Sequence, residues 1–339
     1  MGSHSNDIIV SIQCLTYNHV NYIRQCLDGF VMQKTNFRFE AIVHDDASTD
    51  GTAEIVKEYA EKYPDIIKPI LEEENLYSKH IPGLITNIVN EKCRGKYIAI
   101  CEGDDYWTDE NKLQMQIDYM EKHPECTMTC TRTKLYSEKK QKFIGEQYCR
   151  KGDGFLSVKD VVCRRGLYIS TCSIVFRRSL YSEYPVYCLN SIVGDYPLQM
   201  YCALKGQVFY LDTSMTVYRR EIANSFMGKV PSLIGEERLK RFHIMRNQLD
   251  MLNHFRLDFP QYNSLFRNVM SQYINKGISR IMSKEDCRYY VCFFSDYIND
   301  YSIWWKFDLW LRRLPIPGIR YVLGKTLDKR FCALYTFDA

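Results

Sequence analysis

The feature that most constrains this chain is an alternation of short β-rich runs with amphipathic helical stretches between Ile8 and Pro124. The run "IIVSIQCL" at 8–15 reads as a strand, and the polar loop "TYNHVNY" follows it. Ile23, Leu27, Phe30 and Val31 then recur at helical spacing. "FRFEAIVHDD" is a strand that ends in two aspartates. "ASTDGT" supplies helix caps and a turn, and "AEIVKEYAEKYP" is a helix stopped by Pro64. "DIIKPIL" is a further strand, and Leu84, Ile85, Ile88 and Val89 mark the next helix. "GKYIAICEGDD" is again a strand ending in carboxylates, and "DENKLQMQIDYMEKHP" a helix closed by Pro124. Strands that alternate with helices predict an α/β fold, a mostly parallel sheet with helices on both faces. Ligands of such sheets bind beyond the carboxyl ends of the strands. Thr16–Asn18, Asp45–Asp46 and Glu102–Asp105 all fall at such ends, so three separate loops converge on one edge.

Residues 127–220 read as an α+β continuation, with strands near "CTMTCTRTKLY", "YISTCSIVF" and "QVFYLD" and a helix after Gly194–Asp195. Beyond about residue 232 the pattern is helical, carried by Leu239, Phe242, Ile244, Met245, Leu249 and Met251. We therefore expect a first domain over 6–225 and a helical C-terminal region over 226–339. A hydrophobic share of 46% with 25% charged residues is that of a globular protein with a full core. The net charge of +4 is too small to argue for a nucleic-acid partner. Fourteen scattered cysteines without a CxxC pair suggest reduced, mostly buried thiols and a cytoplasmic place. The first apolar run is a strand rather than a signal peptide, and no uninterrupted apolar run reaches the length of a membrane span.

The stretch "ICEGDDYWTDE" crowds Glu102, Asp104 and Asp105 behind an apolar strand. Adjacent carboxylates repel, and desolvating each costs several kcal/mol unless something compensates. Mg²⁺ takes one or two carboxylates and fills its other positions with phosphate oxygens and water. A short acidic motif with no His or Cys cage suits Mg²⁺ or Mn²⁺ better than zinc; the alternative is a solvated turn. Trp107 and Tyr106 follow, one expected to pack and the other to contact a ligand. The charge runs at 72–74 and 138–142 read as solvated, and His44 as a packed histidine.

"CLTYNHVNYIRQCLDGFVMQ", "VHDDASTDGTAEIV", "RGKYIAICEGDDYWTDENKLQMQIDYM" and "VGDYPLQMYCAL" together resemble glycosyltransferase family 2, of the bacterial surface-polysaccharide type. The resemblance covers roughly residues 7–220 and its blocks keep the family's order. It implies a GT-A fold and an inverting transfer from a nucleotide-diphospho-sugar, expected to be a UDP-sugar, to a hydroxyl of a glycan or lipid-linked glycan. The family's Asp-x-Asp metal motif matches Glu102-Gly103-Asp104, with Asp105 as an additional acid. Asp45 or Asp46 matches the aspartate that reads the base, since a carboxylate accepts from the N3–H of uracil; capping of the following helix is the other role open to them. Thr16 and Tyr17 match the nucleotide-holding loop, and Arg94 the stretch before the fourth strand, where it would reach ribose or phosphate. Asp195 in "VGDYPL" matches the general base, with helix capping as its plain structural role. Arg219 and Arg220 in "YRREIANS" match a late loop whose basic residue reaches the diphosphate, although the family's histidine is absent there. Ser170–Ser173 match a strand end near the acceptor.

Two other classes remain open: a GT-A scaffold or glycan-binding protein without catalysis, and a sugar nucleotidyltransferase. The latter would want glycines in the first loop, and "TYNHVNY" has none. In the tail, 303–324, Trp304, Trp305 and Trp310 stand beside Lys306, Arg312 and Arg313. That composition suits either peripheral contact with the inner face of an anionic membrane or packing into the protein's own core.

Overall fold

The computed structural model describes residues 7–164, 168–222, 238–279 and 293–298. The chain forms two compact units, one of Met1–Lys229 with His254–Phe266 and one of Val230–Asn253 with Arg267–Ala339. The first opens with the expected alternation: β1 (Ile8–Thr16), α1 (Ile23–Val31), β2 (Arg38–Asp45), α2 (Thr52–Lys62), β3 (Ile67–Leu71), α3 (Leu84–Lys92) and β4 (Tyr97–Ile100). It continues with β5 (Tyr106–Trp107), α4 (Lys112–Lys122), β6 (Cys126–Ser137), β7 (Lys142–Gln147), β8 (Gly154–Leu156), α5 (Val158–Cys163), β9 (Val175–Arg177), α6 (Val186–Leu189), α7 (Asp195–Lys205) and β10 (Gln207–Arg220). The long helices α8 (Arg238–Asp258) and α9 (Asn263–Ser279) and the short α10 (Ser295–Ile298) follow.

The sheet has the order β3-β2-β1-β4-β9-β6-β10-β5, with β7 on β6 and β8 on β10. β1 runs parallel to β2 and β4. β9 is antiparallel to both β4 and β6, and β10 is parallel to β6. Two reversals through β9 restore the direction, so β1, β2, β4, β6 and β10 all present their carboxyl ends to one edge. The acidic turn 101–105 runs along that edge from β4 to β5.

The central strands are buried on both faces, as covered parallel strands are: β2 is buried from Phe39 to Asp45. α1 closes one face because Ile23, Cys26, Leu27 and Phe30 repeat every three or four residues and are buried. Phe30 meets Trp107 edge-on at 5.0 Å. The described cysteines are free thiols, most of them buried. In the second unit, Arg246 pairs with Asp296 at 2.6 Å and Phe242 packs against Phe294.

Two sequence expectations change. "YISTCSIVF" is mostly a 3₁₀ turn (Thr171–Ser173) followed by the three-residue β9. The run 138–142 is not simply solvated, because Glu138 makes a largely buried ion pair with Arg219 at 3.0 Å. The aromatic tail 303–324 lies outside the described residues. Among the described residues, no helix is long and apolar enough to cross a membrane.

Candidate active site

β1 and β2 end side by side, with Thr16 opposite Asp45 in register. Asp46 N–H donates to Thr16 O at 3.1 Å, which joins the two strand ends. The acidic turn lies on top of them: Gly103 N–H donates to Leu15 O at 2.9 Å. A Cβ at Gly103 would meet Thr16 Oγ1 at 2.7 Å and His19 Nδ1 at 3.0 Å, so only glycine lets the turn approach this closely. Those two atoms are buried and lack a hydrogen-bond partner among the described residues.

The three acids of the turn differ. Asp104 is half-buried, and His19 Nε2 stands 3.9 Å from its Oδ2. Burial is the largest influence on His19 and lowers its pKa, against the pull of Asp104. Among the described residues, His19 is the one cationic partner of Asp104, and burial weakens its charge. Glu102 reaches solvent from within a recess. Surrounding protein first, then the charges of Asp104 and Asp195, push its carboxyl up to about 8. Asp105 is 1% exposed, and its Oδ1 accepts from Arg219 N–H at 2.9 Å. Burial, then Asp104, holds the Asp105 carboxyl well above the usual range. It ties the turn to β10, and that bond does not serve an ion beside Asp104.

Asp195 opens α7. Its Oδ1 accepts from Tyr196 N–H at 2.7 Å and its Oδ2 from Thr171 Oγ1 at 3.1 Å. Desolvation raises its pKa, and those hydrogen bonds oppose the shift. Asp195 is the first residue of its helix, after the N-cap position held by Gly194, and no side-chain cap hydrogen bond is made there; it stands near enough to Glu102 for their charges to interact.

The remaining candidates separate. Asp45 Oδ2 accepts from Ser48 N–H at 2.9 Å and Oδ1 from Ser48 Oγ at 2.5 Å, which shapes the loop into α2. Asp46 accepts from the N–H groups of Leu76 and Tyr77 at 2.7 and 3.1 Å, so its carboxylate clamps a neighbouring loop. Tyr17 is 43% exposed at the edge. Trp107 is the packing residue, its Nε1 donating to Cys172 O at 2.8 Å, whereas Tyr106 is half-buried at the rim of a recess.

Of the three arginines expected at the site, Arg94 departs from that arrangement. Arg94 precedes β4 while the acidic turn follows it, so the length of a strand separates them. Its Nε donates to buried Glu40 Oε2 at 2.9 Å at the amino end of the sheet. It is not brought to the site. Arg219 is at the site but committed. Its Nη1 donates to Asp104 O at 2.6 Å, its Nε pairs with Glu138 and its Nη2 donates to Gln25. Tyr22 and Tyr106 lie at 5.1 and 4.4 Å from its guanidinium carbon. Arg220 is exposed. His19, Thr171 and Glu138 are the residues that sequence reasoning missed as individuals. His19 carries a usable signal, because it follows a strand end by three residues.

An edge of this kind, with an uncompensated acid on the turn after β4 and a second acid opening α7, is that of a GT-A nucleotide-sugar fold. The model of "Glycosyl transferase family 2" matches residues 11–185, and the chain belongs to that family. An uncharacterised protein of Mycobacterium tuberculosis is 39% identical over 217 residues, 62% of this chain and 58% of the relative. The chain thus spans less than two thirds of that relative's length. The crystal structure of S. aureus TarS 1–349 in complex with UDP-GlcNAc matches with a TM-score of 0.63 at 17% identity, over 98% of this chain and 94% of that one. The mannosyltransferase PcManGT of Pyrobaculum calidifontis, solved with GDP-Man and Mn²⁺, matches with a TM-score of 0.50 at 14% identity, over 98% of this chain and 82% of that one. At these identities the two structures speak for the fold.

Proposed function

We propose that this protein transfers a sugar from a nucleotide-diphospho-sugar, a UDP-sugar, to a hydroxyl of a growing cell-surface glycan, with inversion and with Mn²⁺ or Mg²⁺. The observation that carries this reading is the pairing, on one sheet edge, of an Asp104 carboxylate whose one ion-pair partner among the described residues is the buried His19 with Asp195 at the start of α7. The donor set fits a hard cation: Asp104 and Glu102 offer carboxylate oxygens, and phosphate and water would complete the shell. When bound, the ion offsets charge on the departing diphosphate. Thr16, Tyr17 and Asp45 line the nucleotide flank. Asp45 retains acceptor capacity for uracil N3–H, because a carboxylate has about four lone-pair sites and Ser48 takes two.

Asp195 takes the acceptor hydroxyl's proton as that oxygen bonds to the anomeric carbon and the bond to the diphosphate breaks. Desolvation raises its pKa, and a carboxylate of raised pKa is the stronger base. Arg219, by contrast, serves as a strut for the acidic turn. The test is to incubate the full chain with Mn²⁺ and a panel of UDP-sugars. Release of UDP, with a β-linked product from an α-linked donor, is expected. Pyrophosphate release would instead indicate a nucleotidyltransferase, and retention of anomeric configuration would overturn the assignment of Asp195 as a base for direct displacement.

A further inference from the structure

A second recess of about 490 Å³ opens beside the acidic turn on the β6–β10 flank. That volume lies within the usual range of small-ligand sites. Tyr22, Tyr106, Tyr136, Phe143, Gln25 and Glu138 line it, with Arg219 at its inner wall. We propose that this recess receives a neutral sugar ring of the acceptor; the proposal rests on the glycosyl-transfer reading above and names where its acceptor lies.

Position is the first argument. Arg219 at the recess wall donates to Asp104 O at 2.6 Å, so recess and acidic turn share a boundary. The 3₁₀ turn connects the recess to the base. Thr171 Oγ1 reaches Asp195 at 3.1 Å, and Cys172 Sγ reaches Val217 O, two residues before Arg219, at 3.9 Å. An acceptor seated here would extend away from the nucleotide flank formed by Thr16 and Asp45.

Chemistry is the second argument. A pyranose has an apolar C–H face and a rim of hydroxyls, and an aromatic ring flanked by amides and hydroxyls complements both. Tyr136 and Phe143 face each other across the β6–β7 hairpin, ring centroids 5.3 Å apart at 76°. Phe143 is 54% exposed, an apolar ring that a sugar face would cover. Gln141 Nε2 and Tyr136 Oη already hold rim positions through Glu138 and each other.

Charge is the third. Arg219 and Glu138 neutralise one another, each of the three guanidinium nitrogens has a partner, and Tyr22 and Tyr106 lie against the group. Among the described residues that line the recess the one cation, Arg219, is committed, which favours a neutral sugar over a phosphorylated polyol.

The test uses the full chain on an array of defined neutral oligosaccharides, with Tyr136→Ala and Phe143→Ala as variants on an open hairpin face. Calorimetric titration with UDP and Mn²⁺ runs in parallel. Saccharide binding by the parent should weaken at least tenfold in each variant, while UDP affinity stays within twofold. The proposal is overturned by no saccharide signal, by a signal that survives both substitutions, or by competition from ribitol phosphate and not from sugars. Failure of UDP to bind the parent would count against the glycosyl-transfer reading, independently of the array result.

Discussion

The flank of the sheet edge built by β1, β2 and β4 and the flank built by β6 and β10 use similar polar residues in opposite ways. On the first, Thr16 Oγ1 and His19 Nδ1 are buried without partners among the described residues, and Asp104 has only the buried His19 as a cationic partner there. On the second, Asp105, Arg219 and Glu138 are paired with one another or with the backbone. Buried polar groups normally find partners, so a cluster that does not is where a ligand contributes most. The polar groups of the satisfied flank hold the turn, and those of the unsatisfied flank are left to an ion and a nucleotide. Asp104 and Asp105, adjacent in sequence, fall on opposite sides of that division.

The largest expected effect is at the base. Asp195→Asn keeps the shape and an acceptor for Tyr196 N–H, so α7 should persist. Transfer should fall by roughly 10²–10⁴, the scale of a lost general base, while UDP affinity changes little. Turnover equal to the parent's would reduce Asp195 to a helix cap.

Next is the satisfied flank. Asp105→Ala leaves the buried Arg219 N–H without its acceptor, a loss of about 1–3 kcal/mol, read by urea unfolding. Asp105→Asn supplies an amide oxygen in the same place and should recover most of that stability. If both variants stay fully stable yet lose metal-dependent UDP binding, Asp105 belongs to the ion and the division between flanks is wrong.

Behind the turn, Lys112 is fully buried, 4.1 Å from the Trp107 ring and bonded to Gln116 Oε1 at 2.8 Å. Desolvation lowers its pKa to about 7. Between there and the unfolded value near 10.4, the unfolded chain binds the extra proton, so this residue makes stability rise with pH and fall as pH drops toward 7. Unfolding at pH 7, 8 and 9 should show a shallower rise in Lys112→Met than in the parent. Equal slopes would mean that Lys112 stays protonated in the folded protein.

The smallest effect on ligand binding is expected from Arg94→Ala. It should weaken the fold at the Glu40 end of the sheet and leave UDP affinity unchanged. A fall in that affinity would bring Arg94 back to the nucleotide.

The alternating half of the fold was legible because each strand and helix there announces its own period and its own stop, as Pro64 and Pro124 do. The convergence of the loops at Thr16–Asn18, Asp45–Asp46 and Glu102–Asp105 was legible for the same reason, as strand ends are local events, whereas Asp195 was reached through the family resemblance. The partners were not. Whether Asp104 or Asp105 faces outward depends on β10, more than a hundred residues later, whose Arg219 N–H claims Asp105. The ion pair of Glu138 with Arg219 also needs β6 and β10 to lie side by side, which no local pattern states. β5 has two residues and the β7 strand is largely exposed, so neither shows a periodic apolar signal. Arg94 fitted a family stretch by position, but its buried partner Glu40 sits on another strand.

The central claim is that the unsatisfied flank around Asp104 completes itself with a divalent cation and a nucleoside diphosphate. Calorimetric titration of UDP into the full chain with Mn²⁺, repeated with EDTA and with Asp104→Asn, tests it most directly. The account predicts binding that requires Mn²⁺ in the parent and weakens at least tenfold in the variant, with an unchanged melting temperature. Equal UDP affinity with and without Mn²⁺, or a variant that binds as the parent does, would contradict it.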